Sequence, residues 1–172
     1  MSRGASEGEL EVLRQLRARL RGDIEETLDA RLVIASGYER QGEFATALEV
    51  LGDEPPGGDP DRLRAYFDKR TYLLGALGRG EEMRALYRRW RELGGDEYEL
   101  RARYAVHLSL HALEDPEHSR EELLWQAMLD EDHLQSEQLQ RFIYERLIGG
   151  LLVSQRIGEA LWVYDRGVQR FD

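Results

Sequence analysis

The sequence predicts an all-α fold of stacked helix hairpins, and three observations carry that prediction. Apolar residues recur at three- and four-residue steps, as at Leu10, Leu13, Leu16 and Leu20, which places them on one face of a helix. No stretch sustains the period-2 alternation of a strand, and β-branched residues do not cluster. The four prolines, Pro55, Pro56, Pro60 and Pro116, all lie outside the periodic apolar stretches, so no helical ladder is interrupted.

Taken in order, the elements justify themselves locally. Met1 to Glu9 is small and polar, so residues 1–8 read as a disordered tail and 9–172 as a single domain. The first helix spans 9–21. Asp23 with Glu26 has the spacing of a capping box and opens a helix at 24–40. Gly42 reverses the chain into 43–52, and the turn-rich run Asp53 to Pro60 is a loop. Asp59 ahead of Pro60 caps a helix at 60–77, and Gly94-Gly95 ends the next, at 81–93. Asp96 with Glu99 opens 97–113. Asp115 ahead of Pro116 reads as the cap of 117–130, and the last pair is 135–154 and 157–171.

The elements repeat. Ala35 and Ala47 are small residues suited to face each other across the first pair, with Tyr38, Phe44 and Leu51 as apolar fill. Thr71, Leu74, Gly78, Met83 and Tyr87 follow at matching offsets, 36 residues on from Gly42 to Gly78. Ile148, Leu151, Ile157, Ala160 and Tyr164 form the last such set, and Ala47 to Ala160 is 113 residues, about three repeats. Between them 97–130 fits the count, with a turn stretched around Pro116. In the final helix the expected buried stripe is Ile157, Ala160, Leu161, Tyr164, Val168 and Phe171, with Trp162 and Val163 off it.

The run Gly37-Tyr38-Glu39-Arg40-Gln41-Gly42-Glu43-Phe44-Ala45-Thr46-Ala47-Leu48 resembles the turn of a tetratricopeptide repeat. The resemblance implies a tetratricopeptide-like α-α superhelix of about four antiparallel hairpins behind a leading helix. A narrower likeness covers Leu139 to Phe171. Glu145-Arg146-Leu147-Ile148, followed by Gly158-Glu159-Ala160-Leu161-Trp162-Val163-Tyr164-Asp165-Arg166, is similar to the end of the bacterial transcriptional activator domain. That likeness implies a regulatory or oligomerisation module of a bacterial transcription regulator.

Composition removes several function classes. Cysteine is absent, so disulfides, thiolate metal sites and cysteine nucleophiles are excluded. No run approaches the ~20 apolar residues of a bilayer span, and the start lacks a signal peptide's apolar core, so the expectation is a cytoplasmic protein with no membrane partner. A net charge of −10 opposes direct nucleic-acid binding, despite arginine groups at 14, 17, 19 and 21 and at 84, 88, 89 and 91. Of the 24 basic residues only Lys69 is lysine, the usage of a GC-rich bacterial genome.

No constellation calls for catalysis, and neither a catalytic residue, a metal nor a cofactor is expected. His107, His111 and Glu114 share a helix face at ligand spacing, yet their plainer role is structural, near a hairpin end. Gly149-Gly150 has no preceding strand and reads as a place for close helix approach. The paired carboxylates Glu25-Glu26, Glu81-Glu82 and Glu121-Glu122 sit in first helical turns, where they complement the helix dipole.

The expected function is therefore that of a protein–protein interaction scaffold, not an enzyme, holding a peptide or helix of a protein partner on a concave helical surface. The residues one step off the packing stripe are Leu32, Ser36 and Arg40, then Asp68 and Tyr72, then Val106 and Leu110. Trp162, on the last helix, marks a further contact point, and a homodimer through that end is expected. The tetratricopeptide family's clamp for a C-terminal carboxylate uses lysines and asparagines. Only Arg40 is basic among Leu32, Ile34, Ser36 and Arg40, so that mode is not expected.

Overall fold

In the computed structural model, residues 7–20, 28–53, 60–94 and 96–171 are described. Every regular element among them is helical. Of the tail expected at 1–8, residues 1–6 lie outside the described residues, while Glu7 and Gly8 already belong to a helix; the capping box at Asp23 and Glu26, the cap Asp59 and the side chains of Leu16 and Leu20 also lie outside them. No helix among those described is long and apolar enough to cross a membrane.

Two units divide the chain, at 1–79 and 80–172. The first holds α1 (Glu7–Leu20), α2 (Leu28–Arg40), α3 (Phe44–Leu51) and α4 (Pro60–Ala76). α2 packs on α1, α3 and α4. Gly37 makes the α1 contact possible: a Cβ there would stand 2.6 Å from a Leu13 methyl carbon. Ala35, Tyr38, Ala47, Leu51, Phe67 and Leu74 are all buried, as the apolar offsets require. α4 also holds the end of α3. Tyr66 Oη donates to the Gly52 carbonyl at 2.9 Å, and buried Arg70 donates to the same carbonyl and to Asp53.

The second unit holds α5 (Gly80–Glu92), α6 (Glu97–Leu110), α7 (Arg120–Leu129), a 3-10 turn (Glu131–His133), α8 (Glu137–Val153) and α9 (Ile157–Phe171). α6 packs on α5, α7 and α8, and α8 on α7 and α9. Met83, Leu151 and Ala160 are buried as expected, and Leu86, Tyr104, Leu108, Leu124, Met128 and Leu147 are buried with them. Phe44, Leu77, Tyr87, Trp90 and Ile148 are only half-buried.

One turn recurs at the ends of α2, α4, α6 and α8. Each closes with a residue of positive φ, at Gly42, Gly78, Ala112 and Gln155. In each, the next amide donates back five residues: Glu43 to Tyr38, Arg79 to Leu74, Leu113 to Leu108 and Arg156 to Leu151. This is the Schellman closure, which satisfies carbonyls left over at a helix end. The closures stand 36, 34 and 43 residues apart and fix the register of the third hairpin at Ala112.

The helix start expected at Pro116 is corrected. Asp115 accepts the amides of Glu117 and His118 at 2.8 and 3.0 Å, making a local turn, not a helix cap. The cap of α7 is Ser119, in a full capping box with Glu122. α8 is capped by Ser136. At Asp96 the side chain does accept from Tyr98 and Glu99, while the Glu99 carboxylate turns to Arg103.

The face of α9 is also corrected. Ala160 and Val163 are the buried pair, while Leu161 and Tyr164 are more than half exposed. Two apolar stripes run along this helix. The one containing Val163 meets α8, with Gly167 against the Tyr144 ring and Phe171 packed edge-on to it.

Candidate interaction surfaces

Successive first helices lie side by side within each unit, α2 beside α4 and α6 beside α8. In the first unit an ion pair from Glu39 to Lys69 joins the two helices. Beside it, α2 presents Leu32, Ser36 and Arg40 at four-residue steps, and α4 presents Asp68 and Tyr72 at the same step. Arg40 is exposed and the other four are half-buried. The sequence-derived surface of the first unit is thus one row on each of two neighbouring helices.

In the second unit the sequence-derived residues do not form one row. Val106 is buried, so Leu110 is the accessible member of its pair. α6 is wrapped by three helices, which leaves little free side. Trp162 is half exposed, with its ring 5.9 Å from Trp125 and the Arg166 guanidinium above it.

A cleft of about 520 Å³ in the second unit is bordered by Tyr87, Arg88, Tyr104, Asp115 and His118. Tyr87 and Tyr104 stack in parallel, centroids 4.5 Å apart. Tyr104 Oη donates to Asp115 at 2.6 Å. Burial and that hydrogen bond push the Tyr104 phenol far up, and burial raises Tyr87 as well. Burial would raise Asp115, but the Tyr104 bond and the two loop amides outweigh it and hold the carboxyl below its usual range. A carboxylate with three donors and a phenol locked in its protonated form suit a latch on the 113–119 loop. Acid–base work needs a group poised to change its proton near neutral pH.

His107 and His111 lie ring over ring, 6.3 Å apart, while Glu114 turns away to Arg120 at 2.6 Å. No three histidines or carboxylates among the described residues are grouped to hold a metal. Gly149 and Gly150 do not serve close helix approach: a Cβ at either would meet open space. Within the expected arginine groups, Arg14 pairs with Glu11, Arg84 with Glu81 and Arg91 with Glu97.

Sequence reasoning missed the exposed stripe of α9. Its signal was present in Ile157, Leu161, Tyr164 and Val168, but helical spacing alone identifies an apolar face without saying what covers it. No known family, no curated protein and no solved structure matches the chain.

Proposed function

We propose that this chain is a helical-hairpin interaction module of tetratricopeptide-like design, which holds a peptide or helix of a protein partner. The observation that carries the reading is the side-by-side placement of the first helices α2 and α4. That placement turns single rows of side chains into a broader face, the usual binding surface of hairpin arrays. On the first unit the face offers an exposed arginine and a half-buried tyrosine, Arg40 and Tyr72, residue types that often dominate interface energy. The reading is of binding without catalysis, because the cleft beside Tyr104 has its buried carboxylate, Asp115, held by Tyr104 and two amides.

A photo-crosslinking side chain placed at Ser36 tests the proposal. The expected result is a discrete adduct with one protein partner, suppressed by Arg40→Glu. Labelling that is diffuse, or that Arg40→Glu leaves unchanged, contradicts it.

The second reading, a regulatory or oligomerisation module of a bacterial transcription regulator, draws its support from the likeness of Leu139 to Phe171 and from the exposed apolar side of α9. A complex with a promoter-bound or polymerase-associated protein would favour it over the scaffold reading.

A further inference from the structure

Three sides of α9 can be told apart by what they meet. Ala160, Val163 and Gly167 face α8. Trp162, Arg166 and Arg170 turn toward α7 and the 3-10 turn, reaching Trp125, Glu131 and Asp132. The remaining side holds Ile157, Leu161, Tyr164 and Val168, which are 51, 58, 56 and 37% exposed. Leu152, close to the turn that begins α9, is 49% exposed. No helix among the described residues covers this side.

We propose that the stripe is a self-association surface, on which a second copy of the chain lays its own α9 antiparallel about a two-fold axis. Two arguments select a second copy over an unrelated helix. The first is spacing. The stripe steps by four, three and four residues, which reads the same from either end. A reversed α9 therefore offers a stripe of matching spacing, with Ile157 against the partner's Val168 and Leu161 against the partner's Tyr164.

The second argument is area. The four stripe residues and Leu152 show on the order of 500 Å² to solvent, and two copies together hide about 1,000 Å², the lower bound for a specific interface and the size of a reversible dimer. The stripe itself carries no charge, so the net charge of −10 is not concentrated where the copies meet. A contact that uses the same patch on both chains closes on itself and stops at two copies. The surface is separate from the first-helix faces, so either proposal can fail while the other stands.

Sedimentation equilibrium of the full chain at tens of micromolar tests it, beside Leu161→Asp and Tyr164→Glu. The expected result is twice the 20.0 kDa chain mass for the wild type and a single chain mass for both variants, with unchanged far-ultraviolet dichroism. A wild type that stays a monomer at several hundred micromolar overturns the proposal, and so does a dimer that survives both substitutions. Because the chain has no cysteine, orientation is read cleanly. Leu161→Cys chains mixed with Tyr164→Cys chains should give mainly the mixed disulfide. Self-linked products in excess of the mixed one overturn the antiparallel arrangement.

Discussion

Arg166 on α9 donates to the carboxylate of Glu131 at 2.7 Å, across the 3-10 turn that follows α7. The Glu131 side chain is 7% exposed, and Tyr144 Oη donates to its second oxygen at 2.8 Å. Gln140 donates to the backbone carbonyls of Glu131 and Leu134 and so fixes the turn. One buried acid thus joins three elements.

Arg166→Leu should strand that acid. Losing one partner of a fully buried pair costs ~3–5 kcal/mol, and the partial exposure of Arg166 reduces the figure, so a loss of about 2 kcal/mol is expected. Adding Glu131→Gln should restore part of it. Urea unfolding of the single and double variants measures both. Equal, additive losses would show that the two residues do not act as a pair.

The recurring turn gives a prediction of opposite sign at two positions. Gly42→Ala should cost about 1 kcal/mol, since a left-handed residue with a Cβ is strained even where, as here, the Cβ would meet nothing. Gln155→Gly relieves the same strain at φ 58° and should gain about 0.5 kcal/mol after the extra freedom of the unfolded chain is counted. Thermal unfolding separates the two, and equal signs would refute the account of the turn.

The packing face of α9 is tested by pairing substitutions one residue or so apart. Val163→Ala should cost roughly 1–2 kcal/mol and Tyr38→Ala about 3 kcal/mol, because both remove fully enclosed apolar volume. Tyr164→Ala should stay within ~0.5 kcal/mol in the monomeric background of Leu161→Asp.

His111 sets the direction of one pH effect. Burial, and then the neighbouring His107, hold its pKa below the ordinary value of 6.5. The unfolded chain therefore takes up the proton first as pH falls. Stability should be full above about pH 6.5 and decline through acid pH until the folded form also protonates. Melting temperature from pH 7.5 to 5.5 should fall in the wild type and fall less in His111→Phe. The reverse order would contradict the burial account.

Much of this architecture was legible in the sequence. Helix bounds came out within a few residues because apolar spacing, proline placement and the Gly94 stop agree with one another. The third hairpin was harder. Asp115-Pro116 imitates a helix start, while Ser119 and Glu122 hold the real one three residues on. Its closing turn uses Ala112, and that of the fourth uses Gln155, residues that give no sign of a positive φ. That Leu32, Ser36 and Arg40 share one row of α2, and Asp68 and Tyr72 one row of α4, could be read from periodicity. The α9 stripe could not, because two apolar rows on one helix look alike until a neighbour covers one of them.

The central claim is that the first-helix face binds a partner, and affinity capture with Arg40→Glu, alone and joined to Tyr72→Asp, tests it most directly. Arg40 is exposed, so the single variant should melt with the wild type while retaining clearly less partner, and the double variant should retain none. Undiminished capture by folded Arg40→Glu and by the folded double variant would contradict the claim.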